Sequence, residues 1–299
     1  MHQHAVDVRD ARAVRESIEQ ARPEVVFHLA AQPMVRRSLA EPALTYAVNV
    51  SGTVNVLDAL ARAEHEVQAV VVVTSDKCYE NDGSRRRFKE GDRLGGTDPY
   101  SSSKACAELV ADAYRRSFFG GSRIATTRAG NVIGGGDWGE DRLIPDAVRA
   151  VERGEPLLVR NPAAVRPWQH ALSALGGYLT LAQALCGQPW AARAWNFGPP
   201  ASEEQPVSSV LERLVALWDG ELEWKRDPGE HPHEATFLAL DSSEAETRLG
   251  WRTPWGLERA LESIVEWHRA QLAGGGVRAL SLGQIEAFSS AAEEVPERG

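Results

Sequence analysis

The chain has 299 residues, 43% hydrophobic and 25% charged, enough for one large domain or two modest ones with a true core. A net charge of −9 disfavours nucleic acid or an anionic membrane as the main partner, and no apolar run reaches membrane-spanning length. Three scattered cysteines (Cys78, Cys106, Cys186) lack metal-ligand spacing, and the first residues carry no apolar signal core, so a reducing, cytoplasmic setting without a bound metal is expected.

Val6-Asp7-Val8-Arg9-Asp10 reads as a strand end followed by a helix cap, and Ala11 to Ala21 as the helix, with Val14 and Ile18 facing inward. Glu24 to Leu29 is the next strand, closed by a small-residue turn, Ala30-Ala31-Gln32-Pro33, where backbone can approach a ligand. A long helix is expected from about Pro42 to Arg62, proline in its first turn, with the amide of Asn49 needing a partner among core residues. Ala69 to Val73 is a β-branched run that fits a buried parallel strand. A polar loop through Gly83 and Gly95-Gly96 is long enough to be a lid or binding segment.

Tyr100 to about Phe118 is helical, and Arg123 to Arg128 is the next strand. This repeated strand–helix alternation predicts an α/β fold with a doubly wound parallel sheet. The loop Arg128 to Trp138 holds the triplet Gly134-Gly135-Gly136, equally readable as an anion-binding loop or a plain turn. Leu143 to Arg153 (helix) and Pro156 to Val159 (strand) open a smaller lobe. Arg160 and Arg166 are candidates to clamp a diphosphate or stack on a base. Further on, a return strand is expected at Ala194 to Gly198, helices at Val207 to Trp218 and Gly256 to Gln271, and a strand at Thr236 to Leu240. Asp241-Ser242-Ser243 caps a helix ending near Gly250, and residues 273–299 read as a disordered tail.

The chemistry concentrates in two stretches. Thr74-Ser75-Asp76-Lys77-Cys78-Tyr79 puts a hydroxyl, a carboxylate and an amine at the carboxyl end of a strand, where open α/β sheets place their sites. Tyr100 and Lys104, four residues apart, share one helix face, and the Lys104 ammonium is expected to favour the tyrosinate. Alone, Tyr-x-x-x-Lys describes a surface pair as readily as an active one; the upstream triplet tips the reading toward function.

These residues resemble a known family. Thr-Ser-Asp-Lys-Cys-Tyr-Glu-Asn, Asp-Pro-Tyr-Ser-Ser-Ser-Lys-Ala-Cys-Ala-Glu-Leu, Arg-Ala-Gly-Asn-Val-Ile-Gly-Gly-Gly-Asp-Trp, Asp-Arg-Leu-Ile-Pro-Asp and Arg-Pro-Trp-Gln-His occur in one order. Together they are similar to the CDP-glucose 4,6-dehydratases, nucleotide-sugar enzymes of the extended short-chain dehydrogenase/reductase family. The resemblance runs from about Asp7 to Gln271. It implies a Rossmann-type NAD-binding domain over residues 1–132 plus the return strand near 194–198, and a smaller substrate-binding lobe over 133–272. A homodimer built on two long helices is also implied.

Two departures stand out. No Gly-x-x-Gly-x-x-Gly turn precedes Asp7, so the sheet is expected to be N-terminally incomplete, lacking about fifty residues of the family pattern. On that reading NAD affinity, solubility and activity of the chain as written are expected to be low; a start placed too late and a decayed copy both fit. Ser173 and Ala174 stand where the family usually has glutamate and proline.

The resemblance carries roles onto single residues. Tyr100 takes the proton from the sugar 4-hydroxyl with Ser75 on the same oxygen, Asp76 protonates the departing 6-hydroxyl, and Lys77 acts at C5 as base or enolate stabiliser. NAD is reduced and restored within each turnover, giving CDP-4-keto-6-deoxyglucose. Asp7 and Val8 are carried over near the adenine, Ala30, Ala31 and Gln32 along the pyrophosphate side, Asn49 in the cofactor pocket, and Tyr100 and Lys104 at the nicotinamide ribose. For the nucleotide sugar the residues are Asn131, Leu143 and Arg166, with Arg160 and His233. Rival readings are an epimerase or reductase of the same superfamily, disfavoured by the Asp76-Lys77 pair, and a non-catalytic sugar-nucleotide-binding remnant.

Overall fold

A computed structural model describes residues 2–229 and 235–294. Helix α1 (Ala11–Ala21) starts where the Asp10 carboxylate accepts the backbone N–H groups of Arg12 and Ala13. Strand β1 (Val25–His28) leads through the short helices α2 (Val35–Ala40) and α3 (Pro42–Tyr46) to a π-turn at Ala47–Ser51, then to α4 (Gly52–Ala61). The single helix expected from 42 to 62 is therefore interrupted, and Asn49 lies in the interruption.

Strand β2 (Ala69–Val73), helix α5 (Pro99–Phe118) and strand β3 (Ile124–Ala129) follow. Next come β4 (Val132–Ile133), α6 (Leu143–Arg153), β5 (Leu157–Val159), β6 (Val165–Pro167) and β7 (Gln169–His170). Helix α7 (Ala171–Gly187) returns the chain to β8 (Ala194–Phe197), then β9 (Glu204–Pro206), α8 (Val207–Leu217) and β10 (Trp224–Arg226). The described chain closes with α9 (Ser243–Arg248), α10 (Leu257–Leu272) and α11 (Val277–Glu293).

The main sheet is parallel, in the order β1-β2-β3-β8. Side chains alternate across β2. Val70 and Val72 pack with Val14, Val56, Leu57 and Ala111 of α1, α4 and α5, whereas Ala69 and Val71 pack with Leu181 and Leu185 of α7 and with Trp195. Both faces are covered, so β2 reads as an unbroken apolar run, and each fully buried valine contributes about 1.5–3 kcal/mol. A further core, apart from the packing on the main sheet, gathers Ile144, Val148, Leu211, Leu214, Leu261 and Ile264.

Three expectations need correction. Val6 to Val8 forms no strand: the Val8 carbonyl accepts from Asn55 Nδ2 (2.8 Å), and Asp10 N–H bonds Asp7 O, so its backbone turns toward α4 rather than joining β1. Residues 273–299 are not a disordered tail over the described part, because Val277–Glu293 is helical and docks on α10. Ser281, Gln284 and Phe288 form the docking stripe: Trp267 Nε1 donates to Ser281 Oγ (3.0 Å), Gln284 Nε2 to Ser263 O (2.8 Å), and Phe288 meets Trp255. Thr236 to Leu240 makes only single bridges, Phe237 to Val165 and Leu240 to Phe88. That last bridge also ties down the long polar loop, whose Phe88 is buried and stacked on Tyr79 at 4.9 Å.

Candidate active site

Strand β2 ends in Thr74-Ser75, and Ser75 caps the single 3-10 turn Asp76–Cys78 by accepting the Lys77 N–H (3.2 Å). That turn points Asp76 inward and leaves Lys77 half-buried beside it. Ser75 Oγ donates to Asp76 Oδ1 at 3.1 Å, while Asp76 Oδ2 is buried without a hydrogen-bond partner. Burial pushes the Asp76 carboxyl up to about 6, although Lys77, Ser75 and Arg166 all act to lower it. Gly130, just past β3, makes room for that oxygen: a Cβ there would lie 2.8 Å from Asp76 Oδ2 and 2.5 Å from Pro167 Cγ.

Helix α5 begins at Pro99, capped by the Asp98 carboxylate on Ser101 N–H, and carries Tyr100 and Lys104 on the face toward β2. Lys104 Nζ donates to Val73 O at 3.1 Å. Burial pushes the Lys104 ammonium down to about 8, opposed by Glu108 one turn later. The balance at Tyr100 differs from expectation. Burial pushes its phenol up to about 12, with a Ser75 hydrogen bond acting to lower it, while Lys104 Nζ gives one of its three donors to the Val73 carbonyl.

Beneath this corner lies a buried ionic network that motif reading missed. Glu108 accepts from Arg128 at both carboxylate oxygens (2.8 Å each) and also from Thr74 Oγ1 and Thr126 Oγ1. Arg128 donates further to Tyr79 Oη (2.7 Å) and Glu90 O (3.0 Å), and Tyr79 donates to Asn196 Oδ1 (2.7 Å). Every polar atom of the Glu108 carboxylate is used, which is the condition under which a buried ion pair is tolerated. The network holds Thr74 through Glu108, and the Glu108 charge acts on Lys104. A glutamate four residues after Lys104 was the available sequence signal.

At the carboxyl end of β1, Ala30 is exposed and Ala31 half-exposed, and the Gln32 turn is locked by Asn49. Asn49 Oδ1 accepts Gln32 N–H (2.8 Å), and its Nδ2 donates to Gln32 O (3.0 Å) and to Ser103 Oγ (2.9 Å). The partner that Asn49 required is thus the turn itself, tied to α5. Asp7 is exposed and engages Arg9 through both carboxylate oxygens, whereas Val8 packs over Gly52, where a Cβ would approach its side chain to 2.8 Å. Buried His28, pushed down to about 4 by burial and by Lys104, bonds Thr53 Oγ1 at 3.0 Å.

Asn131, Leu143, Arg160 and Arg166 line one cavity of about 220 Å³ together with Arg36, Asp141, Asp146, Trp168 and Asp227. Arg166 is buried, and its charge acts on Asp76, lowering a carboxyl that burial raises. His233 lies outside the described residues. The glycine triplet is a packing device: a Cβ on Gly135 would collide with the Trp267 indole, and Gly136 sits at φ +79 against the same ring. Ser173 and Ala174, which depart from the family pattern, are buried in the first turn of α7, where Ser173 Oγ bonds Thr253 Oγ1 (2.8 Å). They do not line the cavity.

Residues 2–190 match the NAD dependent epimerase/dehydratase family. The chain belongs to that family. Within it, the chain is 44% identical to a CDP-glucose 4,6-dehydratase of Salmonella typhimurium, over 97% of this chain and 83% of that relative. A dTDP-glucose 4,6-dehydratase of Streptomyces griseus is 32% identical over 81% of this chain and 71% of its own. Among solved structures, a double mutant of DesIV, a dTDP-glucose 4,6-dehydratase of Streptomyces venezuelae with NAD and DAU bound, superposes with a TM-score of 0.77. That pair is 26% identical, covering 90% of this chain and 80% of DesIV. UDP-glucose 4-epimerase of Thermotoga maritima (TM-score 0.79, 22% identical, covering 90% and 84%) shares the fold. The Rossmann-type sheet expected from the strand–helix alternation is therefore the family's fold, and NAD is the family's cofactor.

Proposed function

We propose that the chain is a CDP-glucose 4,6-dehydratase, converting CDP-glucose to CDP-4-keto-6-deoxyglucose and water. The observation that carries this reading is Asp76. A buried carboxyl raised to about 6 beside the Ser75–Tyr100 corner is an acid, and an epimerase, which expels no hydroxyl, has no step for it. The 44% identical relative bears the same activity in its name, and four of the five substrate-side residues line one cavity, among them Arg166, whose charge acts on Asp76.

The donor set fits a dinucleotide. A buried ammonium at Lys104 and the phenol of Tyr100 suit ribose hydroxyls, and the exposed Ala30-Ala31 turn, held by Asn49, leaves room for phosphates. Asp7 and Val8 stand on the adenine side of that arrangement. NAD, when bound, supplies the acceptor for the C4 hydride and its return at C6. Tyr100 Oη, once its own proton has left to solvent, accepts the proton of the sugar 4-hydroxyl, and Ser75 Oγ holds the same oxygen. Lys104 keeps positive charge beneath the phenol. Once C4 is a ketone the C5 proton is acidic; Lys77 removes it, or stabilises the enolate while that proton passes to solvent, Asp76 delivers a proton to the departing 6-hydroxyl as water, and a proton returns to C5 when hydride reaches C6. Asn131, Leu143, Arg160 and Arg166 hold the nucleotide.

The test is direct. Whatever product the purified chain makes with NAD should show the alkaline absorbance of a 4-keto sugar, and CDP-glucose should turn over far faster than dTDP-glucose. Equal or better use of dTDP-glucose would refute the CDP assignment.

We infer further that the protein is a cytoplasmic homodimer, joined through α4 and α5. Among the described residues no helix is long and apolar enough to cross a membrane. Leu109 on α5 is 60% exposed, an apolar side chain in the place a partner helix would cover. Sedimentation at micromolar concentration should show a dimer, and Leu109→Lys should shift it toward monomer; a monomeric wild-type chain would exclude the arrangement.

A further inference from the structure

Two arginines reach one carboxylate from opposite sides of the cavity. Arg36 belongs to α2, on the dinucleotide-binding half, and Arg160 follows β5 in the smaller lobe. Arg36 Nη1 donates to Asp141 Oδ1 at 2.8 Å, and Arg160 Nη1 lies 3.4 Å from the same oxygen. All three residues line the cavity with Asn131 and Arg166. Asp141 reaches them from a left-handed backbone conformation, φ 57, which aspartate tolerates better than most residues. Guanidinium forks from two lobes aimed at one carboxylate form a cradle suited to an anion with more oxygens and more charge.

We propose that Asp141 is an internal counter-ion standing where the substrate's diphosphate goes, and that Arg36 becomes a ligand of that diphosphate when Asp141 is displaced. This rests on the nucleotide-sugar reading above and adds to it a ligand from the other half of the molecule. Relative strengths favour the exchange. The Arg36 and Asp141 side chains are 45% and 36% exposed, and an exposed pair of this kind is worth at most about a five-fold factor in an equilibrium. A diphosphate offers each fork two oxygens and carries more charge than one carboxylate. Both arginines have other contacts too, so neither is set loose when Asp141 leaves.

Calorimetric titration of the full chain with CDP tests the exchange. Asp141→Asn keeps the side-chain size and tolerates positive φ, and it should bind CDP about two- to five-fold tighter than wild type. Arg36→Gln should bind about tenfold more weakly. In the double variant the gain from Asp141→Asn should shrink below about two-fold, since one of the two forks that faced Asp141 is gone. Unchanged or weaker binding by Asp141→Asn, with cooperative melting retained, overturns the counter-ion; unchanged binding by Arg36→Gln overturns Arg36 as a ligand. The same series with inorganic pyrophosphate separates the two layers. The expected order with pyrophosphate, but no CDP binding by wild type, would fault the nucleotide assignment and leave the counter-ion standing.

Discussion

Tyr100→Phe is expected to lower CDP-glucose turnover by about two to four orders of magnitude while leaving the fold intact. The phenol is buried in the first turn of α5, and phenylalanine keeps its ring and removes only the hydroxyl that faces Ser75. Burial pushes Tyr100 up to about 12, so the phenol is neutral near pH 7 in both folded and unfolded chains. No ionisation of Tyr100 therefore separates wild type from the variant near pH 7, and the melting temperature of the variant should stay close to wild type. Turnover and thermal melting together check the claim. Near-normal turnover would remove Tyr100 from the chemistry, and a collapsed melting temperature would make the loss a folding effect.

Much of the sheet was legible because its signals are local. The valines of β2 need no partner to declare a strand buried on both faces, and Asp10 marks a helix start by its own chemistry. Helix α7 was not legible: Gly176 and Gly177 interrupt its pattern. Gly177 is required only because the Phe197 ring occupies the space a Cβ would fill, a contact between residues 20 apart in sequence. The helical tail failed for a related reason, since alternating Ser, Ala and Glu has no strong stripe until α10 supplies Trp255 and Trp267 as its partners.

The site divides along the same line. Ser75, Asp76, Lys77, Tyr100 and Lys104 are close in sequence or one helical turn apart, so a strand end and a helix face suffice to gather them. The environment that sets their protonation is assembled from afar. Arg128 reaches Glu108 from the next strand, Gly130 clears space for Asp76, and Arg36 meets Arg160 through Asp141. Sequence reading accordingly placed Lys104 as the group that acidifies Tyr100, and three-dimensional packing adds burial, which raises the phenol, and a Ser75 hydrogen bond, which lowers it.

Asp76→Asn should lose elimination and gain stability at neutral pH. The carboxyl is raised from 3.8 to about 6 by burial, with Oδ2 left unpartnered. A carboxyl that holds its proton more tightly when folded stabilises fully below its unfolded value, and that contribution is lost as pH rises through about 6. Above that pH the buried carboxylate costs up to ~3 kcal/mol, which the neutral amide avoids, less whatever its own unpartnered N–H costs. Wild type and variant should therefore melt together near pH 4, and the variant should melt several degrees higher near pH 8. Its catalytic loss follows from the same neutrality: asparagine has no proton to give the departing 6-hydroxyl. Steady turnover should fall by about two to four orders of magnitude, while C4 oxidation, which uses Tyr100, Ser75 and Lys104, still proceeds. The absorbance of reduced dinucleotide should then persist in a single turnover. Lys77→Ala should share that stall without the stability gain, because Lys77 is only half-buried. A stability gap that stays the same at pH 4 would rule out the buried charge as its cause, and turnover within tenfold of wild type would remove Asp76 as the acid.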